Sequence, residues 1–322
     1  MLMGGMMKKI FLFLTVLFIL TGCNNQEYYS KNLFYMDTVI NIKIYDDNKE
    51  KVNKAFEEIE NLYQKYENIT NFYDENSELY AVNNNNTDNE YIYLSNELAD
   101  LINLGLDWYY KSDGLLNINI GKLTKIWHDF RENPTSLPSD LNDIVIDINQ
   151  IKLEGNKLLN NNPSIDLGSL VKGYVTQLAG QYLEDNGLEY YLINAGGNVK
   201  AGKSHKGHYN IGIASPINSN ETFEIIKGEN ISVVTSGGYE RFVEYDGVLY
   251  HHIIDPNTKY PANFVKSVTV IGKDSGQCDA LSTILFLMDV ETGKEFIKDY
   301  DVEVIWFTNE NEIIKSDGFS YE

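Results

Sequence analysis

The sequence predicts an α+β fold, a single domain of mixed helices and antiparallel strands. Short alternating apolar runs typical of strands dominate after residue 190. Several longer stretches place apolar residues at helical spacing instead, and the two kinds of segment are mixed along the chain. Strict alternation would have favoured a doubly wound parallel sheet.

Taken in order, Lys8 and Lys9 precede an apolar run from Ile10 to Leu20, followed at once by Thr21-Gly22-Cys23. Eleven residues are too few for a membrane span, which needs roughly 20, but suit the core of a secretory signal. The small residues before Cys23 resemble the lipobox of bacterial lipoproteins, which implies removal of residues 1–22 and lipidation of Cys23. Residues 23–32 are then a polar tether and 33–322 the folded body. Phe34 to Tyr45 alternates as one strand. From Glu50 to Glu67, Val52, Ala55, Phe56, Ile59, Leu62, Tyr63 and Tyr66 form one helical stripe, and Asn83–Asn86 reads as loop. Ser95 is the N-cap of a second helix ending near Ser112-Asp113-Gly114. Residues 131–165 carry three prolines and short strands near 143–148 and 151–153. A helix is expected over 169–185. Strands follow at 190–193, 209–214, 223–226, 231–234, 241–245, 248–254 and 268–271, then helices at 276–288 and 291–298 and a strand at 302–307. There is no internal repeat and no clear linker.

The chain has 322 residues with a net charge of −21. Such acidity argues against a nucleic-acid partner, because binding a phosphate backbone needs clustered cations. Loss of residues 1–22 removes two lysines and no acid, so the mature body is more acidic still. It is repelled by anionic lipid, and attachment to a membrane must come from the lipid anchor on Cys23. The two cysteines cannot build a disulfide framework or a zinc cluster, and Cys278 fits a small buried residue.

Four segments combine glycine with polar groups. In Asp166-Leu167-Gly168-Ser169-Leu170-Val171-Lys172-Gly173-Tyr174, a strand end, a turn and a helix start bring backbone N–H groups toward an anion, with Lys172 one turn in. An ordinary strand–turn–helix with a surface lysine fits equally. Asn194-Ala195-Gly196-Gly197-Asn198 follows a strand and suits either a close ligand approach or a tight hairpin. Thr235-Ser236-Gly237-Gly238-Tyr239-Glu240-Arg241 precedes His251-His252-Ile253-Ile254-Asp255-Pro256. On a strand the two histidines point to opposite faces, so one at most reaches a site. In Cys278-Asp279-Ala280-Leu281-Ser282-Thr283, Asp279 and Thr283 share a helix face. A carboxylate plus a hydroxyl suits a hard cation such as Mg²⁺, though a solvated Asp beside an unrelated Thr reads the same way.

Together, in this order, the segments resemble the ApbE family, the FAD:protein FMN transferases. The family's Asp-Leu-Gly and Lys-Gly-Tyr match 166–174, and its Asn-Ala-Gly-Gly-Asn matches 194–198. Its Thr-Ser-Gly-x-Tyr-x-Arg matches 235–241, its His-x-x-Asp-Pro-x-Thr matches 252–258, and its Asp-Ala-Leu-Ser-Thr matches 279–283. Met36-Asp37-Thr38 resembles its Met-Gly-Thr. The likeness spans roughly residues 33–315. It implies a T-fold-like α+β domain that binds FAD and Mg²⁺ and transfers FMN by a phosphoester bond to a Thr or Ser hydroxyl of an acceptor protein. It further implies FAD contacts from Met36, Leu115, Leu116, Asn117, Asp166, Lys172, Ser236, Tyr239, Arg241 and Ile253. Asp279 and Thr283 are the implied Mg²⁺ ligands, with backbone oxygens of Ser169 and Ser282. His252 is the implied base, oriented by Asp255. The same machinery with water as acceptor gives an FAD pyrophosphatase releasing FMN and AMP, and with no turnover a flavin-binding lipoprotein. Four positions depart from the pattern: Asp37 for Gly, Leu116-Asn117-Ile118 for Phe-Asp-Pro, Gln177 for Asp, and Lys259 for Gly.

Overall fold

The alternating run expected as a single strand over 34–45 folds as a hairpin. Strands β1 (Tyr28–Tyr35) and β2 (Thr38–Tyr45) pair antiparallel, with Tyr28 opposite Tyr45 and Tyr35 opposite Thr38. The chain turns back at Met36 and Asp37, both at φ 54°. This computed structural model describes residues 28–321 apart from 88 and 219, so the signal segment and Cys23 lie outside the described residues. The tether expected through residue 32 is correspondingly shorter. Residues 28–32 belong to β1, an edge strand whose Ser30-Lys31-Asn32 run reads as linker.

Helix α1 (Lys49–Thr70) carries the expected stripe and is capped by Asn48, whose side chain accepts from Lys51 N. Helix α2 (Glu78–Asn83), capped by Ser77, was not expected, and the loop expected over 83–86 begins at its last residue. After β3 (Tyr91–Tyr93), α3 (Asn96–Lys111) starts at its expected cap, Ser95. Helix α4 (Gly121–Glu132) was not expected. The strand expected near 143–148 is replaced by two short 3₁₀ turns, 141–143 and 148–150, closed by local backbone bonds. Strands β4 (Ile151–Glu154) and β5 (Lys157–Asn160) join β3 in a small sheet of order β3-β5-β4.

Next come α5 (Val171–Asp185), β6 (Tyr191–Ala195), β7 (Asn198–Ala201), β8 (Tyr209–Ala214), β9 (Thr222–Gly228) and β10 (Ile231–Gly237). Then follow β11 (Phe242–Tyr245), β12 (Val248–His251), β13 (Val265–Gly272), α6 (Ser275–Phe286), α7 (Val290–Phe296), β14 (Glu303–Thr308) and β15 (Ile313–Lys315). Eight strands form one sheet, β1-β2-β6-β7-β10-β13-β14-β15, antiparallel throughout.

Alternation gives that sheet two apolar faces. One carries Ile40, Ile42, Ile193, Val234, Val268 and Val270 against α1, α5 and α6. The other carries Val233, Ile271 and Ile305 under the β8–β9 hairpin. Each large side chain buried this way contributes about 1.5–3 kcal/mol of transfer free energy. Helices α5 and α6 approach so closely that a Cβ at Gly173 would lie 2.3 Å from Asp279 Cβ. A third apolar cluster joins Leu123, Trp127 and Phe130 of α4 to the β11–β12 hairpin, with Trp127 stacked on Tyr250. These three packings bring the start of α5, the middle of α6, the end of β10, the segment after β12 and one side of α4 around a common cavity.

Candidate active site

That cavity has a volume of about 800 Å³, ample for a dinucleotide-sized ligand. Its walls bring together Met36, Leu115, Leu116, Asn117, Asp166, Ser169, Lys172, Ser236, Arg241, His252, Ile253, Asp279 and Thr283, residues scattered over most of the sequence.

The floor is built by α5 and α6. Asp279 is buried, and its Oδ2 accepts from Gly173 N at 2.7 Å. Burial pushes its carboxyl above the usual range, against the opposing pull of Lys172. The Asn198 side chain sits beside it and favours the charged carboxylate. Thr283 lines the cavity one helical turn further along, and Ser169 lies in the turn before α5. A carboxylate and a hydroxyl converging beside a third oxygen-bearing residue form a hard, all-oxygen donor set. This fits Mg²⁺, which keeps a few protein oxygens and completes its shell with water or phosphate. Ser282 lies deeper: its hydroxyl is fully buried, donates to Asp279 O at 2.9 Å and pairs with Ser236 Oγ at 2.8 Å. Only its carbonyl could serve a metal.

Lys172 Nζ reaches the β6–β7 turn, donating to Gly196 O at 3.5 Å. Gly196 sits at φ 56°, and a Cβ there would meet Thr38 Oγ1 at 2.0 Å. Here the hairpin reading of the paired glycines holds, and the close approach is to a neighbouring side chain. Asp166 Oδ1 accepts from Gly168 N at 2.8 Å, which shapes the turn leading to Ser169.

The two histidines separate, although the strand expected through 254 ends at His251 and His252 lies in the bend just after it. His251 is buried, with Nε2 2.8 Å from Ala262 O and Nδ1 accepting from Ile253 N at 3.2 Å, so its role is structural. His252 faces the cavity, and its Nδ1 is buried without a partner. Burial, then the fields of Arg241, His251, Arg131 and Lys172, drive its pKa from 6.5 down to about 3. The ring is neutral at any working pH. Asp255 does not orient it. Its carboxylate accepts from Asn257 N at 2.8 Å and its carbonyl from Lys259 N at 2.7 Å, so it closes the turn after β12. Spacing alone could not distinguish that turn bond from a histidine partner. Tyr239 also stands apart, its ring packed against Gly237 and its hydroxyl pushed up to about 12 by burial and by Glu240. Among the described residues it is not a wall of the cavity.

Each departure from the family pattern has a local explanation. Asp37 occupies a left-handed position that glycine would take without strain, with Oδ2 3.7 Å from Arg241 Nη1. Asn117 donates to Ile146 O and caps the following 3₁₀ turn through Asn119 N. Gln177 Oε1 accepts from Ser275 N at 3.0 Å, the helix-capping bond a carboxylate would make. Lys259 also adopts φ 63°, and its ammonium donates to the carbonyls of Leu141, Asn142 and Ile144 at 3.1, 3.0 and 2.9 Å.

Sequence reasoning missed Tyr73, Arg131 and Glu240, which also line the cavity. Tyr73 follows α1, and its ring lies 4.4 Å from that of His128. Glu240 is solvent-exposed on the cavity wall near Lys172 and Asp279, and desolvation by the surrounding wall raises its carboxyl. It lay inside a quoted motif without being singled out. Arg131 sits on the unexpected helix α4.

The ApbE family profile matches residues 36–306. The chain belongs to the ApbE family. A second profile, the prokaryotic membrane lipoprotein lipid attachment site, matches residues 7–24. Among curated proteins, the FAD:protein FMN transferase of Vibrio cholerae is 29% identical over 97% of this chain and 96% of its own length. That of Treponema pallidum is 28% identical over 84% of this chain and 82% of its own. Among solved structures, the ApbE protein of Thermotoga maritima superposes with a TM-score of 0.83 at 27% identity, covering 90% of this chain and 97% of its own. The flavin transferase ApbE of Vibrio cholerae gives 0.80 at 27% identity, covering 91% and 98%. The α+β architecture is therefore that of the family. Among the described residues no helix is long and apolar enough to cross a membrane.

Proposed function

We propose that this chain is an FAD:protein FMN transferase anchored by a lipid on Cys23 at the extracytoplasmic face of the cell membrane. FAD occupies the cavity, with Met36, Leu115, Leu116, Asn117, Asp166, Lys172, Ser236, Arg241 and Ile253 around it. A Thr or Ser hydroxyl of an acceptor protein attacks the phosphorus of the FMN half. The new Oγ–P bond forms as the P–O–P bond breaks, AMP leaves, and the hydroxyl proton passes to His252. The observation that carries this reading is the neutral imidazole of His252, its Nδ1 unpartnered, lining a cavity that also holds Lys172, Asp279 and Thr283. A neutral imidazole is the form that accepts a proton. The anionic substrate offsets the field of the neighbouring cations, so His252 is a stronger base in the complex than in the free protein.

Asp279 and Thr283, with backbone oxygens of Ser169 and Ser282, would hold Mg²⁺. The ion would supply charge neutralisation on the diphosphate. Lys172 adds a fixed positive charge from the other side of Asp279.

The test is to incubate the full chain with FAD, Mg²⁺ and a candidate acceptor protein, then record mass spectra and nucleotide products. Transfer adds one FMN to the acceptor and releases one AMP. Free FMN and AMP with an unmodified acceptor would instead support the pyrophosphatase reading. Bound FAD with no AMP released would leave a flavin-binding lipoprotein.

A further inference from the structure

The chain holds only two arginines among its 26 basic residues, Arg131 and Arg241, and both line the same cavity. They arrive by unrelated routes, Arg131 from the last turn of α4 and Arg241 from the loop between β10 and β11. Elsewhere this chain uses lysine for every positive charge. A lysine is a flexible point charge, whereas a guanidinium is a planar fork that matches the paired oxygens of a phosphate or carboxylate.

The pair is unfavourable as it stands. Nη1 of Arg131 is buried with no hydrogen-bond partner, and its guanidinium makes no ion pair among the described residues. Arg241 adds repulsion, and its own acidic neighbour, Asp37, is 77% exposed and 3.7 Å away. A buried charged donor left unsatisfied is costly, and the like charge of Arg241, itself half exposed and donating to Asp37 O, adds to the cost at Arg131. Such an arrangement is half of an ion pair whose anion comes from outside the chain. Both guanidiniums act on His252, so the missing anion belongs next to that ring.

We propose that Arg131 reads a phosphate of the dinucleotide, gripping with Arg241 the phosphoryl group that lies against His252. This rests on the transferase reading and adds to it a residue outside every motif that marks the family in this sequence. Arg131 is thereby a specificity-determining residue, favouring phosphorylated flavins over riboflavin. It also adds a contact from α4 to the positive charge that Lys172 brings from α5.

The experiment measures dissociation constants of the full chain for riboflavin, FMN and FAD by flavin fluorescence, for wild type, Arg131→Met and Arg131→Lys. Loss of a charge-assisted phosphate contact predicts about 10- to 100-fold weaker FAD binding in Arg131→Met, with riboflavin binding unchanged. Arg131→Lys should recover only part of the loss, because the ammonium lacks the fork. Equal losses for riboflavin and FAD would assign Arg131 to packing and overturn the proposal. Unchanged FAD affinity would also overturn it, and a raised KM for the acceptor would then point to a carboxylate on the acceptor protein. If Arg131→Met melts early, Arg131→Lys, which keeps stem and charge, carries the comparison. A wild-type chain that binds no FAD refutes the transferase reading itself and is a separate outcome.

Discussion

The state of His252 gives the sharpest quantitative expectation. Its folded pKa is depressed from 6.5 to about 3, chiefly by burial and then by Arg241. Between those values the unfolded chain binds a proton that the folded chain refuses. Stability therefore falls as pH drops below 6.5, and no penalty exists above it. The slope is about 1.4 kcal/mol per pH unit, which at pH 5 gives roughly 2 kcal/mol. Water in the open cavity screens the ring, so about 1–2 kcal/mol is the expected loss. Substitution of His252 by Gln removes this term while keeping a polar side chain of similar reach. Urea unfolding of both proteins at pH 7 and pH 5 isolates it: wild type should lose about 1–2 kcal/mol more than His252→Gln on acidification. His251, also depressed by burial, contributes equally to both and cancels. The same variant should lose about 10²–10⁴-fold in transfer rate at pH 7 if the ring is the base. Identical pH slopes would show that His252 is not held neutral by its surroundings, and the argument for it as a ready proton acceptor would fail.

Replacing Asp279 by Ala should abolish Mg²⁺-dependent turnover, while relief of a destabilised buried carboxylate offsets the loss of its bond from Gly173 N and keeps the fold intact; activity with and without Mg²⁺ plus a thermal melt checks both. Gly173→Ala would place a methyl group 2.6 Å from Ser275 O as well as against Asp279, so overpacking should cost about 1–3 kcal/mol by urea unfolding, where most helix glycines would gain from the change. Lys259→Gly relieves a left-handed lysine by about 1 kcal/mol but loses three ammonium–carbonyl bonds; a net destabilisation of about 1–2 kcal/mol is expected, and a stabilised variant would show that the brace onto residues 141–144 contributes little. Cys23→Ser should move the protein from the membrane fraction to the soluble fraction on ultracentrifugation, with FMN transfer in detergent unaffected.

Much of the fold was legible because it rests on periodicity. Helix α3 began at its predicted Ser95 cap, and the stripe of α1 faced the core. What escaped was short or locally ambiguous. The start of strand β1 reads as tether because Ser30, Lys31 and Asn32 break its apolar alternation. The β1–β2 turn carries no glycine or proline, only Met36 and Asp37 in left-handed geometry, so nothing marked it. Helix α4 was lost because Trp127, Phe130 and Leu123 face a small satellite cluster, and its polar residues are spread between. The site followed the same rule. Residues inside ordered motifs were found, whereas Tyr73 and Arg131 reach the cavity from segments without a motif. For Asp255 the spacing suggested a histidine partner, but the backbone N–H of Asn257 is nearer and takes the carboxylate. One signal for Arg131 was present all along, in the scarcity of arginine.

That scarcity bears on how an acidic protein could hold a diphosphate. The cavity wall includes the carboxylates of Asp37, Glu67, Glu132, Asp166, Glu240 and Asp279, against Lys172, Arg131 and Arg241. Side-chain charge alone does not make this a phosphate site. Two of those acids, Glu240 and Asp279, are pushed up by desolvation, and each is opposed by the nearby Lys172. Glu67 is engaged in holding the β1–β2 turn through Met36 N at 2.7 Å, and Asp166 in its turn with Gly168. The effective cations are therefore the ones that lack a strong internal partner, above all Arg131. A divalent ion at Asp279 would convert the most deeply buried acid from an obstacle into a ligand. The negative background then has a use: it leaves the cavity unattractive to anions in general, and only a ligand that satisfies the arginine fork and brings or recruits a hard cation gains enough to stay.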